Sequence, residues 1–296
     1  MVKINKSNMQ IKNFIQVAKP GIVFSNLFTA FTGFFLASYG NFSWVLMLYS
    51  MVGLTLVLAS STVLNNYIDT DIDKLMERTS NRVSITGDIS EKLMLCYSFV
   101  LGFFGLLILW FFVNHTTTIL VIVGYIIYIL LYSLWSKRKN RYSTFIGSFA
   151  GAMLPLAGYT SYSNNIDSFS IVLFLILLIW QMPHFYAIAI FRLQDYKNAG
   201  IPVMSVATSI TNTKIHIFIW TLLFFIIALA PFLLGFLGWL YLIVAIILSF
   251  SWILIAYKGF KVVEDIKWSR KVFFFSIIIL MVLFSTMMLD RVLMLV

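Results

Sequence analysis

Charge is what this chain has least of. Only 11% of its 296 residues are Asp, Glu, Lys or Arg, against about 25% in an ordinary soluble domain. That shortage excludes a water-facing surface around a chain of this length. Cysteine is equally scarce: Cys96 stands alone inside an apolar run, so no internal disulfide can form and no redox pattern exists. Nor does a small-residue cleavage site follow the first apolar run. Residues 1–19 therefore read as a basic leader into a retained first helix instead of a signal peptide. What is abundant is apolar mass: 61% hydrophobic residues, among them 29 Phe, with a mean hydropathy of +0.95. A membrane-spanning helix needs about 20 such residues, and there is material for many.

Runs of that length occur at about 21–39, 44–64, 93–113, 118–135, 143–162, 169–191, 215–236, 239–257 and 272–289. The last part of the chain holds one apolar stretch too long for a single span. Pro231, Gly235 and Gly238 punctuate its middle, so it divides into two. Backbone in lipid must satisfy its own hydrogen bonds, so these segments are expected to be helices. The expectation is an all-α polytopic bundle of about nine helices, forming a single domain over 1–296.

The formal net charge of +10 raises the question of a nucleic-acid partner. The placement of the basic residues answers it. Twenty of the 21 Lys and Arg fall at the N-terminus or in every second connection, and Arg291 is the exception. That is the positive-inside pattern of a membrane protein. It predicts a cytoplasmic N-terminus, an external C-terminus and no nucleic-acid binding. Nine of the eleven acids, all but Asp167 and Asp290, sort to the same side. Polar chemistry is thus expected at the cytoplasmic face.

Two segments carry that polarity. The first runs Asn65-Asn66-Tyr67-Ile68-Asp69-Thr70-Asp71-Ile72-Asp73 and continues the second apolar run without Gly or Pro. If the helix continues, Asn65, Asp69 and Asp73 lie on one face and Asp71 points elsewhere. A solvated helix end is the ordinary explanation of such a cluster. However, acids at a helix C-terminus oppose its dipole, and like charges at this spacing repel. A divalent cation relieves both costs, and carboxylate and amide oxygens suit Mg²⁺. Lys74, Arg78 and Arg82 follow at once, and a metal beside Arg and Lys is the usual setting for a diphosphate.

The second segment ends the sixth apolar run, with Gln181, Pro183 and His184 inside it and Arg192, Asp195 and Tyr196 at its close. Spacing puts His184, Arg192 and Asp195 on one helical face. Pro183 is expected to kink the helix. An intramembrane His is as often bonded to a neighbouring helix as it is functional, and Arg192 with Asp195 could be a simple interfacial ion pair. Both segments end on the cytoplasmic side, where together they could hold a phosphorylated substrate.

The run 65–73, followed by Met76-Glu77-Arg78-Thr79-Ser80-Asn81-Arg82, resembles the first signature of the UbiA-type intramembrane prenyltransferases. Further stretches agree: Lys19-Pro20-Gly21 with Asn26 following, Tyr132-Ser133, Lys137-Arg138, residues 147–155, Trp180-Gln181-Met182-Pro183-His184, and the specific run Phe191-Arg192-Leu193-Gln194-Asp195-Tyr196-Lys197-Asn198-Ala199-Gly200-Ile201-Pro202. Within that superfamily the chain is most similar to the branch that farnesylates haem. The likeness covers the length of the chain.

The resemblance implies a nine-helix bundle with a cavity open to the cytoplasmic face, in a bacterial inner membrane. It implies farnesyl transfer from farnesyl diphosphate to a vinyl group of haem b, with water added, giving haem O for terminal oxidases or for haem A formation. Mg²⁺ would sit on Asn65, Asp69 and Asp73, with His184 and Asp195 also catalytic. The diphosphate would meet Lys74, Arg78, Arg82, Lys137 and Arg138. Haem and prenyl contacts would fall on Asn26, Tyr67, Gln181, His184, Arg192 and Tyr196. The chain departs from the wider superfamily in three places. Asn66 stands where Asp is frequent, Ala199 replaces a second acid after Asp195, and Val83 replaces Pro. A second Mg²⁺ site near Asp195 is therefore left open. Other aromatic acceptors (hydroxybenzoate, naphthoate, a chlorophyll precursor) or a transporter with broken helices remain the alternatives.

Overall fold

A computed structural model of the chain describes residues 6–294, so Lys3 of the basic leader lies outside the described residues. Among the described residues all regular structure is helical. Nine long helices follow a short leading helix (Lys6–Val17): α1 (Pro20–Ala37), α2 (Trp44–Ile68), α3 (Glu91–Phe112), α4 (His115–Lys139), α5 (Ser143–Ser163), α6 (Ser168–Phe191), α7 (Ile210–Leu233), α8 (Trp239–Lys258) and α9 (Asp265–Leu293). Eight are long and apolar enough to cross a membrane. The exception is α5, which has the length, 21 residues, but is rich in Ser, Thr and Gly.

The composition of α5 has a packing reason. A Cβ added at Gly158 would lie 1.8 Å from the carbonyl oxygen of Ala30, and one at Gly33 would lie 2.1 Å from that of Pro155. Helices α1 and α5 thus cross backbone to backbone, which only small residues allow. The cost of those small residues is hydropathy, and α5 can bear it because its run Leu154–Ser161 is buried throughout.

Side-chain caps open five of the helices. Ser43, Ser90, Asn114, Asp167 and Ser209 each accept a backbone N–H from the first turn of α2, α3, α4, α6 and α7 respectively. The two acids that escaped the charge sorting prove to have this use. Asp167 caps α6 in a reciprocal capping box and accepts the Tyr159 hydroxyl at 2.7 Å. Asp290 is buried on α9 and caps α8, accepting the N–H groups of Gly238 and Tyr241. Pro231 and Gly238 flank the turn between α7 and α8, as their sequence positions predict.

The two largest apolar clusters among the described residues divide the bundle. One joins Ala30, Leu54, Val57, Leu109, Val121 and Ala157 of α1–α5. The larger joins α5–α9 around Trp252, Tyr186, Phe224 and Phe284. Outward-facing Phe99, Phe111, Leu233, Trp44 and Trp239 are each at least 70% exposed, a surface suited to lipid. Helix α4 is irregular in a way the sequence does not announce. It is α-helical to Ile126, π-helical over Ile127–Ser136, and closes with one turn, Lys137–Lys139. Such a wide stretch rotates side chains out of α-helical register and is frequent at functional sites.

Candidate active site

A cavity of about 690 Å³ lies between the two halves of the bundle. Most of its wall is apolar, contributed by residues such as Leu54, Val57, Met153, Leu154, Ile277 and Leu280, and one end is polar.

The polar end is built where α2 stops. Spacing assumes one helix through residue 73, but α2 ends at Ile68, Asp69 leaves the helical conformation and a short helix (Thr70–Asp73) restarts. The carbonyls freed there are taken up locally. The Thr70 hydroxyl donates to the oxygens of Asn66 and Tyr67, and Arg138 donates to that of Ile68 at 2.8 Å. The four-residue hydrogen-bond step survives the break, because Asp69 N–H donates to Asn65 O (2.9 Å) and Asp73 N–H to Asp69 O (2.8 Å). Asn65, Asp69 and Asp73 consequently stay together, 2–4% exposed, all lining the cavity. Asp71 points elsewhere, as expected, into a two-bond ion pair with Arg138 at 2.6 and 2.7 Å. The guanidinium lowers the Asp71 carboxyl to about 2.

Buried carboxylates need counter-charges, and these converge from three elements. Lys137, past the π-helical stretch, pairs with Asp69, and Arg82 pairs with Asp73. Lys19, at the head of α1 in a left-handed conformation (φ 53°), donates to Asn65 Oδ1 at 3.1 Å. Asn65 Nδ2 donates to Asp69 Oδ2 (2.9 Å) and to Ser133 Oγ (3.1 Å). Burial, with Arg82 adding to it, lowers the Lys19 ammonium to about 7, so an arriving anion would restore its charge. Arg78 also lines the cavity and makes no ion pair among the described residues. Four cations (Lys19, Arg78, Arg82, Lys137) thus face two carboxylates, an excess of +2 when all are ionised.

One polar atom is left over: Asp69 Oδ1 is buried without a hydrogen-bond partner. An orphaned anionic oxygen is costly and is the kind of donor a hard cation takes. Among the described residues no three His, Cys, Asp or Glu side chains converge to hold a metal. A cation here would rest on two carboxylates and the amide of Asn65, with Lys137 and Arg82 turning to the anion it accompanies.

The residue that departs from the superfamily pattern, Asn66, does not line the cavity. Its Nδ2 donates to Val17 O at 2.7 Å and its Oδ1 accepts from Arg82 at 3.4 Å. An amide fits that spot because it both donates and accepts. A carboxylate would face the Val17 carbonyl.

The second segment divides. Gln181, His184 and Tyr196 line the cavity, while Arg192 and Asp195 do not. The expected common face of His184, Arg192 and Asp195 fails because α6 ends at Phe191. Arg192 is non-helical (φ −110°) and a new turn begins at Leu193. Asp195 instead reaches back to the first segment, accepting the Glu77 N–H at 3.1 Å with Arg192 3.7 Å away. The two segments do meet: Ile72 and Met76 pack with Ala189, Ile201 and Val203. Pro183 lies buried within an uninterrupted α6. Asn26 lines the cavity wall from α1, whereas Lys74, Arg138 and Tyr67 lie outside it; Tyr67 packs against the cluster around Val17 and Val63.

Sequence reasoning did not single out Lys19, Tyr128, Tyr132 or Ser276 as site residues. Tyr128 and Tyr132, stacked at 5.8 Å, face the cavity from the π-helical stretch. Ser276 Oγ lies 2.7 Å from His184 Nδ1. Lys19 and Tyr132 stand in stretches that match the superfamily without a site role attached, and nothing in an apolar run marks Tyr128 or Ser276.

An apolar cavity with a positively charged, carboxylate-bearing end, enclosed by membrane helices, suits a long apolar chain bearing an anionic head. The comparisons identify the family. The UbiA prenyltransferase family model matches residues 26–278, and the chain belongs to that family. It is 48% identical over 282 residues, 95% of each chain, to protoheme IX farnesyltransferase 2 of Pseudomonas aeruginosa (strain UCBPP-PA14). It is 47% identical over 270 residues, 91% of each chain, to protoheme IX farnesyltransferase of Yersinia pestis (strain Pestoides F). Its fold is similar to the solved digeranylgeranylglyceryl phosphate synthase (TM-score 0.80, 18% identity, 96% of this chain and 99% of that one). It is also similar to a UbiA homologue from Archaeoglobus fulgidus bound to GPP and Mg²⁺ (TM-score 0.69, 15% identity, 93% and 99%).

Proposed function

We infer that the chain transfers the farnesyl group of farnesyl diphosphate to a vinyl group of haem b, with addition of water, giving haem O and diphosphate. The observation that carries this reading is the polar end of the cavity: two buried carboxylates, one with an orphaned oxygen, among four cations. Its place at one end of an apolar chamber suits a diphosphate with a long hydrocarbon tail. The likeness to haem-farnesylating relatives supports the acceptor.

Ionising an allylic diphosphate puts negative charge on the leaving oxygens as the C–O bond breaks. Cations already in place stabilise that charge without reorganising. Lys19, Arg78, Arg82 and Lys137 supply them, with Lys137 and Arg82 released from Asp69 and Asp73. Asn65, Asp69 and Asp73 would hold Mg²⁺, which when bound neutralises further charge on the diphosphate. The farnesyl C1 then accepts the vinyl π electrons, forming a C–C bond and leaving a cation on the carbon beside the porphyrin ring. Water adds its oxygen there and gives up a proton. Apolar and aromatic walls keep water from the farnesyl cation before that bond forms. The polar end faces the cytoplasm of a bacterial inner membrane on this reading, as the basic connections require.

The test is product analysis. Purified protein given farnesyl diphosphate, haem b and Mg²⁺ should yield a farnesylated, hydroxylated haem and diphosphate. Omitting the metal should also weaken farnesyl diphosphate binding. Prenylation of a hydroxybenzoate or naphthoate in place of haem would overturn the acceptor.

A further inference from the structure

The hydroxyl of Ser276 has one hydrogen, and two neighbours compete for it. Its oxygen lies 2.5 Å from the carbonyl oxygen of Phe273 and 2.7 Å from Nδ1 of His184. A carbonyl oxygen can only accept, and two oxygens this close without a hydrogen between them repel. The Ser276 hydrogen therefore goes to Phe273 O. The bond to His184 must then run the other way, with Nδ1–H donating to Ser276 Oγ. That fixes the tautomer: Nε2 carries a bare lone pair.

The ring is held as firmly as the tautomer. It stacks on Trp180 (centroids 4.7 Å apart, 25° between planes) and contacts Phe273 and Phe185. Trp180 in turn donates its indole N–H to Ser276 O at 2.9 Å. His184 lines the cavity, and among the described residues Nε2 makes no hydrogen bond.

We propose that His184 Nε2 is an axial ligand to the iron of the porphyrin substrate, and that Ser276 is the positioning residue that holds its tautomer and orientation. The proposal rests on the haem reading of the site and deepens it. A histidine that binds metal through one nitrogen characteristically donates the other N–H to an oxygen acceptor, which fixes the ring and raises its basicity. Ser276 is that acceptor. General-base use of the same lone pair fits less well. It would create an imidazolium among Trp180, Phe185 and Phe273 with no carboxylate bonded to it, whereas bases of that kind are steadied by one. Ligation leaves the imidazole neutral, as an apolar aromatic wall demands. It would also anchor the planar macrocycle beside the Trp180, Phe185 and Phe273 rings that hold His184.

The test uses haem b and the full-length protein in detergent or nanodiscs. Ferrous wild type should show an iron–imidazole stretching band by resonance Raman, and His184→Ala should lose it and regain imidazole ligation when free imidazole is added. Ser276→Ala should keep the band but shift it to lower frequency, since Nδ1–H loses its acceptor. Should His184→Ala fail to fold, His184→Met keeps bulk and a ligating sulfur, and should replace the imidazole signature with a thioether one. A wild-type band unchanged in His184→Ala or His184→Met overturns the ligation and leaves haem farnesylation standing. Wild type that binds no haem b, yet still binds farnesyl diphosphate, overturns the acceptor reading and this inference with it.

Discussion

The two polar segments, residues 65–82 and 181–196, invite the same helical-spacing argument, and the structure treats them differently. In the first, the helix breaks at Asp69 but the hydrogen bonds keep their four-residue step, so the predicted trio stays intact. In the second, the same step crosses the break at Arg192 (Arg192 N–H to Ile188 O, Tyr196 N–H to Arg192 O), yet Gln181, His184 and Tyr196 line the wall while Asp195 binds the loop that carries Glu77. Both breaks keep the hydrogen-bond step, so the difference is one of reach: the first trio lies within four residues of its break, whereas His184 stands eight residues before Arg192. On the proposed reading this is a division of labour: the first segment would hold charge against the diphosphate, and the second would supply the haem-facing wall and a tether.

The largest expected effect tests the first half of that division. Asp69→Ala or Asp73→Ala should lower haem O formation by at least about 10²–10³-fold, the usual cost of removing a preorganised charge partner. Insertion into the membrane should be unaffected, because the apolar runs are unchanged. Activity within about tenfold of wild type in both variants would place the chemistry elsewhere in the cavity. Rates of product formation by chromatography of extracted haems measure it.

Most of the fold was legible because hydropathy and length are one-dimensional signals. All nine runs became helices, including α5, whose low hydropathy reflects the Gly33–Pro155 and Gly158–Ala30 crossings. The acids and their spacing were legible for the same reason. What the sequence hid is three-dimensional. Glu77 and Asp195 are 118 residues apart, and His184 and Ser276 are 92 apart. The π-helical turn that brings Tyr128, Tyr132 and Lys137 to the cavity follows from no local residue pattern. Lys19 shows the subtler case, since a charge placed for topology also reaches Asn65 once its backbone turns left-handed.

Two neighbouring cations provide the next contrast. Lys137 and Arg138 are adjacent in sequence, yet Lys137 pairs with buried Asp69 while Arg138 pairs with exposed Asp71 outside the cavity. Lys137→Met should raise the KM for farnesyl diphosphate about 10- to 100-fold, the loss of one largely desolvated charge contact. Arg138→Ala should change it by about threefold or less, as exposed ion pairs contribute little. Equal effects would mean that the two side chains exchange places when substrate binds.

The smallest effect is the most discriminating for the second segment. Asp195 Oδ1 accepts the Glu77 N–H, and an asparagine can keep that bond through its own carbonyl oxygen. Asp195→Asn should therefore hold activity within about threefold, by the same scale as other neutral exchanges at a preserved hydrogen bond. Asp195→Ala leaves the N–H unpaired at a cost of about 1–3 kcal/mol. Because that bond ties the loop bearing Arg78 and Arg82, the cost should appear as a KM for farnesyl diphosphate raised about tenfold, with kcat little changed. If Asp195→Asn is instead as inactive as Asp69→Ala, the carboxylate charge itself is needed. Asp195 would then be a cation ligand in the working enzyme, and the division between the two segments would dissolve.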